Sequence, residues 1–129
     1  MPKKLIEQLE RKTTEARTKF GEKSKRHAST LFALALAYRA DADYESSLLL
    51  YLQSLEIRKE VFGEKSRPVA TTLNNLAIVF KERGELDQSM ELLQECLGIY
   101  EHLFQLEKAA SAIAAASLSS SSESASVPV

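Results

Sequence analysis

Apolar residues recur along most of the chain at the three- and four-residue spacing of one face of an α-helix. Leu31, Leu34, Ala35 and Tyr38 stand at i, i+3, i+4 and i+7, and the same order returns within residues 67–83. Helical spacing also runs through 44–62 and 86–104, and through an earlier segment at 3–20. No alternation of apolar and polar residues long enough for a β-strand is present. The pattern predicts an all-α protein built from antiparallel helical hairpins.

The predicted helices form a repeat of 42 residues. The segment Phe20–Ser24 recurs without change as Phe62–Ser66, and sliding residues 20–62 onto 62–104 makes fifteen of 43 aligned positions identical. A repeat of this length is one helical hairpin that cannot bury its apolar face alone, so neighbouring hairpins must stack. We therefore predict an α-α superhelix with two full repeats and flanking helices.

Residues with capping and turn preferences stand where the predicted helices begin and end. Ser24 and Ser66 precede the first helix of each repeat, Asp43 or Asp87 is expected to begin the second helix, and Gly63 ends one. Small residues recur where the two helices of a hairpin must approach closely: Ala35, Ser47, Ser54, Ala77, Ser89 and Cys96. This spacing predicts that Cys96 is a buried structural residue.

The pattern divides the chain into five segments. Residues 1–20 are predicted to form the second helix of a partial leading repeat, followed by full repeats at 21–62 and 63–105. We predict a short capping helix at residues 106–117. Residues 118–129 are rich in serine, and we expect them to be disordered because they cannot bury enough apolar surface.

The repeated residues resemble the tetratricopeptide repeat, whose pattern reads W-x2-L-G-x2-Y…A-x3-F. Here it is matched by Leu31-x2-Leu34-Ala35-x2-Tyr38…Ser47-x3-Tyr51 and again by Leu73-x2-Leu76-Ala77-x2-Phe80…Ser89-x3-Leu93. The 42-residue period, the segment Ala70–Ala77 and the Phe62-Gly63 linker look like the kinesin-light-chain-like subtype. This resemblance implies a protein-binding adaptor or scaffold whose first helices line a concave groove for a peptide or helical segment.

The resemblance also places particular residues in that groove. An Asn at the position of Asn75 binds the backbone of an extended peptide in related repeats, and the alternative is a bond within the stack or exposure to solvent. Phe32 and Leu36 stand where chaperone-binding relatives have Lys and Asn, which favours an apolar or amphipathic ligand unless the chain's own ends cover them. The expected groove residues are Ser29, Phe32, Ala33, Leu36 and Arg39 in the first repeat and Thr71, Asn74, Asn75, Ile78 and Lys81 in the second.

Composition and charge add little to this interpretation. The net charge is −1, although residues 1–27 carry +5 (nine Lys and Arg, four acids) and residues 28–129 carry −6 (eight and fourteen). His27 and His102 belong to no metal-binding or catalytic motif, and no phosphate loop or nucleophile elbow is present. We expect no enzyme activity, cofactor, metal, nucleic-acid partner or membrane insertion, and a cytoplasmic location.

A second function is also consistent with the sequence. A stack usually needs about three repeats with polar caps at its ends. Two full repeats leave apolar end faces, so the chain could act as an oligomerising or inhibitory fragment of a longer array through those open ends.

Overall fold

The computed structural model describes the backbone of residues 2–125 and the side chains of residues 3–119. The helices are α1 (Pro2–Phe20), α2 (Lys25–Ala40), α3 (Tyr44–Phe62), α4 (Arg67–Glu82) and α5 (Leu86–Ala125). The described backbone contains no strand. α2 pairs with α3 and α4 with α5 in two hairpins, α3 packs on α4 to join them, and α1 packs on α2. The predicted all-α stack of two hairpins is confirmed, with α1 as a flanking helix.

Polar side chains stand at the beginnings of the helices. The Ser24 Oγ accepts a hydrogen bond from the His27 N–H at 3.1 Å, and Asp43 Oδ1 accepts one from the Ser46 N–H at 3.2 Å. The Ser66 Oγ instead donates to the Gly63 carbonyl at 2.8 Å and caps no helical N–H. The prediction of Asp87 as a cap is wrong, because α5 begins at Leu86 and places Asp87 within the first helical turn.

Each hairpin is closed by hydrogen bonds from small side chains of its second helix to carbonyls of its first. Because these side chains are short, the two helix axes can approach closely, and each buried donor has a partner. Cys96 is buried, as predicted, and burial raises the pKa of its thiol. The bonds are Ser47 Oγ to Ala35 O (2.7 Å), Ser54 Oγ to Ala28 O (2.8 Å), Ser89 Oγ to Ala77 O (2.8 Å) and Cys96 Sγ to Ala70 O (3.2 Å).

The main core runs between the hairpins and inside the second one. α4 contributes Val69, Leu73, Leu76 and Val79, each at most 1% exposed. They share one apolar cluster with Leu48, Tyr51 and Leu55 of α3 and with Cys96 and Ile99 of α5. A smaller cluster of Ile6, Leu34 and Ala37 holds α1 against α2. α4 is therefore the helix that joins the two repeats.

The structure differs from the sequence prediction after residue 105. The separate capping helix expected at 106–117 does not form, because those residues continue α5. Residues 118–125, expected to be disordered, also continue it, and the rest of that expectation, 126–129, lies outside the described residues. The helix continues because Gln105 replaces the glycine found at Gly63, and the following run is rich in alanine, the strongest helix former.

Candidate functional site

The residues predicted to line a groove lie on α2 and α4. Leu36 is 43% exposed, and Ser29, Thr71, Asn74 and Lys81 are also exposed. The remaining members are half-buried: Phe32, Ala33, Arg39, Asn75 and Ile78. The first helices of the two repeats therefore present a mixed apolar, amide and basic surface. Its apolar part is smaller than the sequence indicates.

Phe32 belongs to the contact between the repeats. Its ring meets the Tyr51 ring edge-on, with centroids 5.3 Å apart and planes at 73°. The Arg58 guanidinium covers the Phe32 ring at 4.6 Å from its centroid and donates to Thr72 Oγ1 on α4 at 2.9 Å. Burial lowers the pKa of Arg58. The Phe32 ring thus packs against two side chains of α3, Tyr51 and Arg58, and Arg58 in turn bonds to α4. The main role of Phe32 in the structure is therefore packing.

A second polar contact joins the far ends of α2 and α4. The Arg39 Nε lies 3.7 Å from Glu82 Oε1, and both side chains are about one-third exposed or less. The Tyr51 hydroxyl is buried without a hydrogen-bond partner among the described side chains, and burial raises its pKa. Arg39 is thus already engaged by an acid, whereas Lys81 stands exposed one residue before that acid.

Asn75 bonds within its own helix. Its Nδ2 donates to the Thr71 carbonyl at 2.9 Å, one turn earlier in α4. Asn74 is exposed beside it. The side-chain carbonyl of an Asn in this state can still accept a hydrogen bond, and its amide can exchange a weak local bond for one to a ligand. Both asparagines are compatible with peptide contact.

Sequence reasoning missed a repeated concavity between the second helices. A cavity of about 470 Å³ lies between α1 and α3. His27 is one of its lining residues, and the His27 Nδ1 donates to the Glu22 carbonyl at 2.7 Å. A second cavity of about 360 Å³ follows one repeat later between α3 and α5. The 42-residue register is the signal that could have found it: Arg17, Glu22, Lys23, Gln53, Glu56 and Ile57 in the first cavity correspond to Lys59, Glu64, Lys65, Glu95, Gly98 and Ile99 in the second.

The described residues form neither a metal-ligand cluster nor a membrane-spanning helix. Within the described side chains, no three His, Cys, Asp or Glu residues are gathered closely enough to hold a metal ion. Among the described residues, no helix combines the length and the apolar character needed to cross a bilayer.

Comparisons with known proteins agree with this geometry. The chain superimposes on BtubC (BKLC) from P. vanneervenii with a TM-score of 0.74 at 23% identity, over 78% of this chain and 40% of that one. It superimposes on the nearly identical TPR-like repeats of a putative kinesin light chain from Podosopora anserina with a TM-score of 0.69 at 18% identity, over 76% and 46%. The chain thus spans less than half of either structure.

Sequence comparison settles the family. No curated protein sequence matches the chain significantly. The profile of the tetratricopeptide repeat matches residues 26–102, which is more than half of the chain and runs from the start of α2 into α5. The chain belongs to the tetratricopeptide repeat family, and it shares its fold with kinesin-light-chain-like repeat proteins.

Proposed function

We propose that this chain is a non-enzymatic adaptor that binds a peptide or helical segment of another protein on the surface formed by α2 and α4. The tetratricopeptide repeat is a protein-interaction fold. Its first helices, α2 and α4, expose Leu36, Asn74 and Lys81 here. The observation that supports the proposal best is the combination of exposed Leu36, half-buried Ile78, paired amides at Asn74 and Asn75, and the cation of Lys81. We place this adaptor in the cytoplasm.

The chemistry of the surface indicates the kind of ligand. Leu36 and Ile78 offer apolar area, the two asparagines can donate to and accept from a peptide backbone, and Lys81 attracts an acidic side chain. Arg39 is less available, because Glu82 already pairs with it. The ligand we propose is therefore an extended or helical segment with apolar anchors and an acidic residue near one end.

The test begins with peptides selected by phage display on the purified chain, followed by fluorescence anisotropy with each selected peptide. Leu36→Asp combined with Lys81→Glu should weaken binding at least about tenfold, because the variant removes an apolar anchor and reverses a charge. Circular dichroism should show unchanged helicity, since both side chains are exposed.

Leu49→Asp on α3 is the matched control, because Leu49 is 61% exposed and lies outside the α2–α4 surface. It should bind the peptides as the unaltered chain does. Equal affinity of the Leu36→Asp, Lys81→Glu variant, with helicity intact, would show that the α2–α4 surface is not the binding site.

The alternative function, action through the open ends of the stack as an oligomerising or inhibitory fragment, draws on a different surface. α5 carries exposed apolar residues, which include Met90 and Leu97. A concentration-dependent mass in sedimentation, retained by the Leu36→Asp, Lys81→Glu variant, would favour self-association over the adaptor role.

A further inference from the structure

α5 carries a continuous apolar row that the sequence register marks as a contact face. The α5 row consists of Leu86, Met90, Leu93, Leu97, Tyr100 and Phe104, spaced alternately by four and three residues. That spacing aligns side chains along one side of a helix, as in the seam of a coiled coil. All six are exposed, between 39% for Tyr100 and 61% for Leu97.

In the first repeat, the equivalent face of α3 is covered by another helix. In the 42-residue register, Met90, Leu93 and Leu97 correspond to Leu48, Tyr51 and Leu55 of α3. Those three α3 residues are 8%, 0% and 8% exposed, because α4 packs on them in the main apolar cluster. The corresponding α5 residues are 59%, 42% and 61% exposed. The α5 row is thus built to receive a helix.

The charges beside the row indicate which helix it receives. Asp87, Glu91 and Glu101 each follow a row residue directly, so all three lie on the same side of the row, and all are exposed. Between Leu86 and Gln105 the chain has four acids and no Lys or Arg. The matching stretch of α3 carries Arg58 and Lys59 where α5 has Tyr100 and Glu101. The second repeat therefore presents an apolar row that has an acidic border from Leu86 to Tyr100, while the Lys108 Nζ lies 5.5 Å from the ring centroid of Phe104 at the end of the row.

A second copy of the chain fits this border poorly. Two α5 rows packed antiparallel would bring their acidic borders together, and like charges across an interface cost affinity. α1 is basic, but its exposed apolar residues are Leu5 and Phe20, which lie near its two ends and form no row. The complement to the α5 row is apolar on one face and basic on the flank.

We propose that the α5 row is a second binding surface, separate from α2 and α4, which takes an amphipathic helix with a basic flank from a partner protein. The helix packs on Met90, Leu93 and Leu97 as α4 packs on α3. Its Lys or Arg side chains pair with Asp87, Glu91 and Glu101. Apolar burial supplies the affinity, and the acidic border selects the charge of the partner.

The probes are two fluorescein-labelled amphipathic helical peptides with the same leucine face, one flanked by lysines and one by glutamates. Fluorescence anisotropy with the full chain should show the lysine peptide binding about tenfold or more tightly, with the difference shrinking as salt is raised. Glu91→Lys combined with Glu101→Lys should reverse the preference. Equal binding of both peptides would overturn the proposal.

Leu97→Asp, and separately Met90→Asp, should weaken the lysine peptide at least about tenfold. Leu49→Asp is the closest control, because Leu49 and Leu97 have the same exposure of 61%. Leu36→Asp should leave this binding unchanged, which separates the α5 row from the α2–α4 surface. Full affinity in the Leu97→Asp chain would overturn the assignment. Micromolar dimerisation of the unaltered chain would also overturn it if Leu97→Asp abolished that dimerisation, because the α5 row would then be an interface between two copies of the chain.

Discussion

At the scale of single residues, the turn between the helices of each hairpin shows how one backbone geometry is filled by two different amino acids. Ala42 has φ of 62° and Gly84 has φ of 84° at equivalent positions. Both turns are closed by the same bonds: the next residue's N–H donates to a carbonyl five residues back, Asp43 to Tyr38 at 2.9 Å and Glu85 to Phe80 at 2.8 Å. Only glycine adopts this left-handed region without steric cost.

Ala42→Gly should therefore stabilise the protein, by about 0.5–1 kcal/mol once the extra freedom of glycine in the unfolded chain is subtracted. Urea unfolding followed by circular dichroism measures the change. Gly84→Ala is the reciprocal control and should cost about as much, since a Cβ at Gly84 meets no atom within 4 Å and only the backbone is strained. Equal stability of Ala42→Gly and the parent would mean that the turn carries no strain.

Some residue roles were predictable from the sequence, and others depend on the three-dimensional packing. Ser47, Ser54 and Cys96 were predictable as close-approach residues, because small side chains recur at fixed register. The sequence predicts Phe32 in a ligand groove, whereas the structure gives it a packing role, because Arg58 covers its ring. A contact between residues this far apart in the chain depends on how α2 and α3 cross, which a one-dimensional pattern does not record.

At the scale of elements, helix positions followed from the repeat, while the length of the last helix did not. A helix end is predictable where a local signal stands, such as Gly63 with φ of 93° after α3. No equivalent signal follows Phe104, so α5 continues through the alanine-rich run. Every residue from 105 to 119 is exposed, and the Arg67–Glu107 pair at 2.7 Å ties the beginning of this segment to α4.

Ala112→Pro should remove helix from the exposed part of α5 without weakening the stack. Proline breaks the helix locally, but residues around 112 pack on nothing described, so the free energy of unfolding should stay within about 0.5 kcal/mol. The helical circular dichroism signal should fall while the urea midpoint holds. Ala77→Pro in buried α4 is the contrast and should cost about 3 kcal/mol or more. A lower midpoint for Ala112→Pro would show that this segment contributes to the core.

At the scale of the whole molecule, stability in a short stack depends on each neighbour contact, because every hairpin touches only the elements beside it. α1 is held by the small cluster of Ile6, Leu34 and Ala37 and by a hydrogen bond from the Tyr38 hydroxyl to Glu10 Oε1. That bond raises the pKa of Tyr38 to about 12, with burial and the charges of Glu10 and Asp43 adding to the effect. It is a polar link between the leading helix and the first full repeat.

Tyr38→Phe should cost about 0.5–1.5 kcal/mol at pH 8, nearer the lower value because the link is partly exposed to solvent. The stability difference between the parent and the variant should shrink as pH rises. Below the ordinary tyrosine pKa of about 10, both the folded and the unfolded parent keep the proton. Between pH 10 and about 12 only the unfolded chain releases it, so the parent loses stability through that window.

Urea unfolding of both proteins at pH 8, 10 and 11 measures this difference, and other titrating groups cancel because they are common to the pair. Tyr100→Phe is the control, since its ring is 39% exposed on α5 and distant from α1 in the stack. It should leave stability at pH 8 unchanged within about 0.5 kcal/mol. A parent–variant difference that stays constant from pH 8 to 11 would mean that Tyr38 does not hold α1 through its hydroxyl, and that the apolar cluster alone docks the leading helix.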